Sequence, residues 1–269
     1  MPPLHTPPSS NAPPSRDARV ALFGRRSVLD ALACEGVRVD EVRVARGAPA
    51  AARREVEAAC RERGVRCAIT SVARVHELSR DARHDQGIAA RAELLGVHEL
   101  DALEELRGAP PARARWLALD GVTNAQNAGM IVRSAVAAGI DGILWPRHGT
   151  PWIQGLVVKA SAGAVLRARI ARCDALADAL AAFRAAGFQT VGLDARGAVD
   201  VFAAPLGARS VHVVGGETVG ISERVRDQLD ETVRIPMAAG SESLNAAVAA
   251  AIVAFHVCRS PQTQDIRSM

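Results

Sequence analysis

Hydrophobic and polar positions follow two different periods in the first third of the chain. Short runs with an apolar residue at every second position, typical of strands, separate longer stretches with helical spacing. Strands that alternate with helices of this length predict a small layered α/β domain over residues 18–94. The predicted helices cover residues 24–34, 50–63 and 72–78, and the predicted strands cover 39–45, 65–70 and 87–94.

The second part of the chain repeats this alternation on a larger scale. Residues 95–112 are charged and contain Pro110-Pro111 near their end, which predicts a linker between two domains. Over residues 113–269, the order of elements predicts an α/β domain with a mostly parallel sheet, in which Gly- and Asn-rich segments follow the strand ends, where ligands bind. The predicted strands cover 116–120, 142–145, 165–171, 188–194, 210–215 and 232–236, and a long apolar helix ends the chain.

Composition excludes several classes of protein. Residues 1–17 hold six of the 14 prolines and lack an apolar core, so they predict a disordered tail and not a signal peptide. No apolar run reaches the roughly 18 residues of a membrane span. The five cysteines have no paired spacing, which favours a reducing, cytoplasmic location and predicts neither disulfides nor a structural metal.

The positive charge of the protein is concentrated in the first domain. Residues 18–94 contain 15 Arg and 11 Asp or Glu, an excess of four that equals the net charge of the whole chain, +4. Most of these arginines fit a solvated helix surface, as Arg53 does beside Glu57. Arg25, Arg26 and Arg46, near predicted element ends, are better candidates for phosphate contacts.

The first loop of interest is LDGVTNAQNAGMIVRSA, where a strand gives way to a helix. In the simplest interpretation, Asn127 is a helix cap and Arg133 is a surface charge, and neither has a further role. However, Arg133 interrupts a helix face made almost wholly of Ile, Val and Ala, and an arginine on such a face must be paired or directed at an anion.

The second loop, VVGGETVGIS, tests a competing function. Gly215 and Gly220 have the separation of a phosphate-binding loop, but Ile221 stands where that motif requires Lys, and adjacent glycines do not match the dinucleotide motif. A nucleotide-binding enzyme is therefore disfavoured. Gly215 and Gly216 instead predict a tight turn where another ligand meets backbone amides, with Glu217 available for a hydroxyl or a cation.

The third loop, IPMAAGSESLNAAVAAAIVAFHV, leads into the C-terminal helix. Serines commonly cap helices, which accounts for one of them. Capping by serine does not account for Asn245, which we place just inside an apolar helix. Asn is unfavourable at such a position unless its side chain is used elsewhere.

In order and content, the three loops resemble the motifs of the SpoU family of RNA ribose 2′-O-methyltransferases, within the SPOUT superfamily. The first domain is similar to that family's L30e-like substrate-binding domain, with FGRRSVLDAL and HDQGIAA as in the subgroup that acts on large-subunit ribosomal RNA. The resemblance implies a C-terminal trefoil knot that binds S-adenosylmethionine, and activity on 23S ribosomal RNA. A tRNA ribose methyltransferase and a non-catalytic RNA-binding protein of the same fold remain alternatives.

The resemblance also implies roles for individual residues and a homodimer. Two motifs depart from the family's pattern: Asn124-Ala125-Gln126 replaces the usual Asp-Pro-His, and Ala246-Ala247 replaces Val-Ser. Because arginine is essentially never neutral, we expect Arg133 to bind a phosphate and polarise the hydroxyl, with the proton leaving to phosphate or water. The implied reaction centre is Asn127, Arg133, Glu217, Ser243 and Asn245, and the implied cofactor contacts are Gly215, Gly216, Ile235, Met237 and Leu244.

Overall fold

The structure, a computed structural model, describes residues 15–108, 110–238 and 243–259. The first domain contains four strands, β1 (Arg19–Phe23), β2 (Val37–Ala45), β3 (Arg66–Thr70) and β4 (Ile88–Leu94). Its helices are α1 (Arg25–Ala33), α2 (Ala50–Arg63) and α3 (Val72–Ser79). Each predicted helix and strand of this domain is confirmed to within about two residues, and β1 is added to them.

The first domain is a four-stranded mixed sheet with helices on both faces. The strand order is β1-β4-β2-β3, in which only β2 and β3 are parallel. Because successive side chains of β1 point to opposite faces of the sheet, Val20 and Leu22 lie on the face covered by α1 and α2. Phe23 lies on the opposite face, against α3. Because α3 is short, it covers only one end of that second face.

The second domain follows a connecting segment that has more structure than the sequence indicated. Within residues 95–112, the chain forms β5 (Val97–Glu99), a 3-10 helix (Leu100–Ala102) and α4 (Glu104–Arg107). β5 pairs with a strand of the second domain. The remaining strands are β6 (Ala114–Asp120), β7 (Gly142–Pro146), β8 (Ile170–Cys173), β9 (Gln189–Leu193), β10 (Val199–Asp200), β11 (Arg209–Gly215) and β12 (Glu231–Arg234), and the helices are α5 (Ala125–Ala138), α6 (Gly155–Ala160), α7 (Leu176–Ala185), α8 (Glu223–Arg226) and α9 (Ala246–Arg259).

The second sheet is parallel throughout, with the order β10-β12-β9-β11-β6-β7-β8-β5. Helices α5, α6 and α9 pack on one face, and α7 and α8 on the other. Burial on both faces accounts for the nearly continuous apolar strands. From β6 the chain proceeds to β7 and β8 on one side, and later returns to β9 and β11 on the other. The strand order therefore reverses between β6 and β11, which is where ligands bind in such sheets.

Polar contacts join the beginning of the chain to the second domain. Ser15 donates its backbone N–H to the carbonyl oxygen of Val97, at 2.9 Å, and Asp17 forms a salt bridge of 2.8 Å with Arg147. Arg147 also binds Glu99, at 2.7 Å. The disordered tail predicted for residues 1–17 is therefore wrong for its last three residues, and its residues 1–14 lie outside the described part of the chain.

Two other details of the second domain differ from the sequence predictions. The strand predicted at 165–171 is replaced by a 3-10 helix at Ala164–Arg167 followed by β8, because the positive φ of Gly163 begins a turn there. The knot expected near the end of the chain requires residues 239–242, which lie outside the described residues, so the knot stays a prediction. Among the described residues, no helix is long and apolar enough to cross a membrane.

Candidate functional site

The candidate site lies at the carboxyl ends of β6 and β11, where the strand order reverses. The register pairs Asp120 with Gly215, so the loops after these two strands begin side by side. The N–H of Gly216 donates to the carbonyl oxygen of Asp120 over 2.7 Å, and a carboxylate oxygen of Asp120 accepts from the N–H of Ser222 at 2.6 Å. Asp120 therefore ties the two loops together, a function that sequence reasoning missed although an Asp at a strand end was visible.

The two adjacent glycines are required by contacts within the protein. A Cβ on Gly216 would lie 2.0 Å from the carbonyl oxygen of Gly121, and a Cβ on Gly215 would lie 2.4 Å from the carbonyl carbon of Gly220. The N–H of Gly216 is already occupied by the carbonyl oxygen of Asp120. A cofactor contact at these glycines through other atoms stays a prediction.

Three residues from distant parts of the chain form one hydrogen-bonded cluster. The side-chain nitrogen of Asn245 donates to Glu217 Oε1 at 2.8 Å and to Asn127 Oδ1 at 3.2 Å. The side-chain nitrogen of Asn127 donates to the same Glu217 oxygen. Asn127 is only 4% exposed, whereas Glu217 and Asn245 face solvent. The structure thus brings together three of the five residues implied for the reaction centre.

Asn245 precedes helix α9 and caps it. Its Oδ1 accepts from the N–H groups of Ala247 at 2.9 Å and Val248 at 3.3 Å, and its carbonyl oxygen accepts from Ala249 at 3.0 Å. The prediction that Asn245 lies just inside the helix is therefore off by one residue. The cap fixes which side of the amide is the donor, because the oxygen is occupied by the helix and only the nitrogen is left to face Glu217 and Asn127.

The departure at Asn124-Ala125-Gln126 preserves the start of helix α5. Asn124 is the N-cap, and its side chain accepts from the N–H groups of Gln126 at 2.8 Å and Asn127 at 3.3 Å. Asn and Asp are nearly equivalent caps, and Ala125 occupies the first helical position, which Pro also favours. The remaining difference from the family's pattern is Gln126 in place of His, and the Gln126 side chain is exposed.

Arg133 lies apart from the cluster. Six residues separate it from Asn127, which is roughly 9 Å along a helix, and the two side chains point to different sides. Arg133 is exposed, on the same side of α5 as Met130, so the interpretation that it interrupts a buried apolar face is wrong. Its guanidinium has no hydrogen bond or salt bridge within the described residues, and it remains free to bind an anion.

The residues implied to contact the cofactor lie around the end of β12 and the start of α9. Ile235 and Met237 are half-buried, and Leu244 is 38% exposed. Ser243 is exposed and makes no hydrogen bond with the cluster among the residues described. Partly open apolar side chains at the carboxyl edge of a parallel sheet fit an adenine ring, so these residues are consistent with a nucleoside cofactor.

His212, within β11, is fully buried. Its Nε2 pairs with Ser210 Oγ at 2.9 Å. Burial, together with the positive charges of Arg115 and His256, lowers the pKa of His212 to about 3. A neutral, enclosed imidazole takes no part in surface chemistry. In the described ranges, His, Cys, Asp and Glu side chains form no group that could hold a metal ion.

Comparison with known families identifies the chain. The model of the SpoU rRNA Methylase family matches residues 114–255, and a model described as RNA 2′-O ribose methyltransferase substrate binding matches residues 21–96. The chain belongs to the SpoU family. It is an S-adenosylmethionine-dependent RNA 2′-O-methyltransferase with an N-terminal substrate-binding domain, as the resemblance of its three loops predicted.

Relatives match this SpoU protein over most of its length. An uncharacterized tRNA/rRNA methyltransferase of Mycobacterium avium is 34% identical over 271 residues, covering 96% of this chain and 86% of the relative. A protein of the same description from Mycolicibacterium vanbaalenii is 38% identical over 244 residues, covering 88% of this chain and 76% of the relative.

Solved structures share both domains. The SpoU methyltransferase AviRb of Streptomyces viridochromogenes, in complex with AdoMet, superimposes with a TM-score of 0.72 at 26% identity, covering 91% of each chain. An AdoMet-bound rRNA methyltransferase of Sinorhizobium meliloti gives 0.70 at 26% identity, covering 90% of this chain and 87% of its own. These similarities confirm the fold class and the cofactor of this SpoU methyltransferase.

Proposed function

We propose that this SpoU methyltransferase methylates a ribose 2′-hydroxyl of 23S ribosomal RNA. The observation that carries the proposal is the cluster of Asn127, Glu217 and Asn245 at the switch point, joined to a substrate-binding domain. A neighbour with both domains is described as an rRNA methyltransferase. The intact cluster disfavours a non-catalytic RNA-binding protein. A tRNA substrate remains the alternative, because the relatives are described as tRNA/rRNA methyltransferases.

Glu217 is the group best arranged to receive the proton of the ribose hydroxyl. S-adenosylmethionine, when bound, supplies an electrophilic methyl group to the site. Glu217 Oε1 accepts from both asparagines, and its Oε2 has no hydrogen bond within the described residues. We infer that Oε2 accepts the hydrogen bond of the 2′-hydroxyl, while the amides hold the carboxylate in one orientation. Transfer of the proton onward to phosphate or water completes the step.

Arg133 is assigned to the phosphate next to the target ribose. An exposed guanidinium without a protein partner is available for bidentate contact with phosphate. Held beside the ribose by this phosphate contact, the positive charge of Arg133 would polarise the 2′-hydroxyl and stabilise the negative charge that develops on its oxygen. Ser243 is assigned to the substrate side of the cluster, and Ile235, Met237 and Leu244 to the adenosine of the cofactor.

We propose further that the protein is a homodimer in a reducing cytoplasm. The free cysteines support this compartment. Helices α5 and α9 pack together and expose Met130, Val248 and Phe255, which are 40%, 48% and 38% accessible. A second copy on these helices would bury that apolar surface and put Arg133 at the boundary between subunits. A monomer in sedimentation experiments at micromolar concentration, with and without cofactor, would contradict the dimer.

The choice of RNA is tested with labelled methyl groups. Purified protein is incubated with S-adenosylmethionine carrying a radioactive methyl and with equal amounts of unmodified 23S ribosomal RNA or bulk tRNA. We expect label in the 23S RNA, and in none of the tRNA fractions, and we expect the Asn245→Ala variant to transfer none. Label confined to tRNA would establish the alternative substrate, and absence of transfer to every RNA would contradict the enzymatic proposal.

A further inference from the structure

A cleft of about 510 Å³ lies between the two domains, and its lining shares no residue with the candidate site described above. One wall is β1, an edge strand of the first sheet. The end of helix α3 forms a second wall, and the loop before α6, with Trp152 and Gln154, forms the third. Each domain thus contributes part of the lining, and neither would form the cleft alone.

Arginine dominates the charge of this cleft. Arg19, Arg80 and Arg91 line it, against the single carboxylate of Glu77. Arg91 contacts Glu41 at 3.3 Å, whereas the side chains of Arg19 and Arg80 have no hydrogen bond or salt bridge within the described residues. Glu77 lies 3.5 Å from Arg43, so its charge is shared with a fourth arginine. The net charge of the cleft is positive, and the guanidinium groups of Arg19 and Arg80 remain available to an anion.

These arginines continue onto an open sheet face. In β1 and β4, Arg19 and Arg91 lie on the same face as Phe23, but at the end that α3 leaves uncovered. On β2, Arg38 and Arg43 share this face, and pair with Glu93 and Glu41. This face therefore carries four arginines against the two carboxylates of Glu41 and Glu93, and it continues into the cleft. An extended surface with an excess of positive charge suits an elongated polyanion better than a small ion.

Buried contacts hold the walls of the cleft in place. The buried carboxylate of Asp85 accepts from Ser79 Oγ at 2.8 Å and from the N–H of Gly87 at 2.9 Å, which anchors the loop that begins at Arg80. On the other side, the Arg172 guanidinium lies 4.1 Å from the ring centroid of Trp152. Trp152 is half-buried, so part of its ring faces the cleft.

We propose that this cleft binds the backbone of a single-stranded segment of the substrate RNA, outside the cofactor site. The proposal rests on the RNA methyltransferase function above. Arg19, Arg80 and Arg91 contact successive phosphates, and Trp152 stacks on one base, the combination by which proteins hold single strands without reading their sequence. Because both domains line the cleft, the bound strand is held in a fixed position relative to the catalytic cluster.

The test compares two triple variants of the full-length protein with equal loss of charge. One carries Arg19→Gln, Arg80→Gln and Arg91→Gln. The control carries Arg54→Gln, Arg61→Gln and Arg224→Gln, which are exposed positions outside the cleft. The probe is a labelled single-stranded RNA of mixed sequence, with a matched RNA duplex as a second probe. Binding of S-adenosylmethionine, measured by calorimetry, reports whether each variant is folded.

The salt dependence of binding distinguishes phosphate contacts from a general loss of charge. Loss of three phosphate contacts should lower the slope of log K against log salt by about two for single-stranded RNA, with affinity reduced roughly ten- to a hundredfold. We expect this change in the cleft variant, a much smaller one in the control, and little effect on duplex binding. Equal losses of affinity for single-stranded RNA, with equal changes in the salt slope, in the two variants would overturn the proposal.

Trp152 provides an independent signal. The other two tryptophans, Trp116 and Trp145, are fully buried, so single-stranded RNA in the cleft should quench mainly Trp152 fluorescence, and Trp152→Phe should remove the quench. Quench that persists in Trp152→Phe, or equal quench by polyglutamate, would contradict an RNA site here. If the wild-type protein methylates RNA while the cleft variant keeps its affinity, the cleft proposal fails and the enzymatic function stands.

Discussion

The side-chain nitrogen of Asn245 donates a hydrogen bond of 2.8 Å to a carboxylate oxygen of Glu217. The same asparagine caps helix α9 through its oxygen. Helix formation therefore selects the orientation of the amide, and the amide in turn orients the carboxylate that we assign to the ribose hydroxyl. The amide oxygen of Asn245 stabilises the helix, and its amide nitrogen orients the carboxylate. A substitution can therefore remove one of these two contributions and keep the other.

Asn245→Asp should separate these two contributions. Aspartate keeps the oxygen that caps α9, whereas Asn245→Ala loses about 1 kcal/mol with its cap. The cap favours the stability of Asn245→Asp over that of Asn245→Ala, and like-charge repulsion between the new carboxylate and Glu217 offsets this gain. Both variants should lose methyl transfer, because neither can donate to Glu217. Chemical unfolding and initial rates measure the two effects. A fully active Asn245→Asp protein would show that the donation to Glu217 is dispensable.

A double variant provides the control for that experiment. In Asn245→Asp with Glu217→Gln, the donor and the acceptor are exchanged, so a hydrogen bond can form again and like charges are avoided. We expect stability to recover towards that of the wild type while transfer stays absent, because the carboxylate at position 217 is gone. Recovery of transfer would mean that Glu217 only positions its neighbours.

Gly216→Ala should damage the site through packing. Its Cβ would lie 2.0 Å from a backbone oxygen of Gly121, so the two loops must move apart. We expect a loss of several kcal/mol in the free energy of unfolding, on the scale of overpacked cores, and weaker binding of S-adenosylmethionine. Gly47→Ala is the matched control, since a Cβ there meets nothing within 4 Å. Calorimetric binding and thermal unfolding of both variants would decide the matter, and a harmless Gly216→Ala would refute the packing argument.

The sequence predicted most of the fold because both domains have strong periodic patterns. It also singled out Asn127, Glu217 and Asn245, although their mutual contacts span up to 118 residues and no local pattern contains them. What it missed depends on tertiary packing. β5 and β10 are too short, at three and two residues, to show a period. The exposure of Arg133 depends on which side of α5 faces α9, and the interdomain cleft exists only once both domains are packed.

Arg133→Ala should reduce methyl transfer with little change in cofactor affinity. A positioned electrostatic group at a reacting centre typically contributes 10²-fold or more. Arg133→Lys keeps the charge but loses the bidentate fork, so it should recover only part of the rate. Single-turnover rates and calorimetric titration with S-adenosylmethionine measure both quantities. Unchanged rates in Arg133→Ala would remove this residue from the reaction centre.

The buried His212 should make stability fall in mild acid. Burial lowers its pKa to about 3, whereas the unfolded chain binds the proton near pH 6.5, so the unfolded state takes up more protons as pH falls below that value. The contribution is complete above pH 6.5 and decreases by roughly 1.4 kcal/mol per pH unit on acidification. Urea unfolding at pH 7, 6 and 5 should give a steeper loss for the wild type than for His212→Gln. Parallel curves would contradict a neutral buried imidazole.

The position of the transferred methyl group tests the central claim most directly. The 23S ribosomal RNA labelled by the protein is hydrolysed in alkali, which cleaves only linkages that have a free 2′-hydroxyl. If Glu217 accepts the hydrogen bond of a ribose hydroxyl at this site, the label should be recovered in an alkali-resistant dinucleotide, and the Glu217→Gln protein should produce almost none. Label recovered on the base of single nucleotides, with every linkage still cleaved, would contradict ribose methylation.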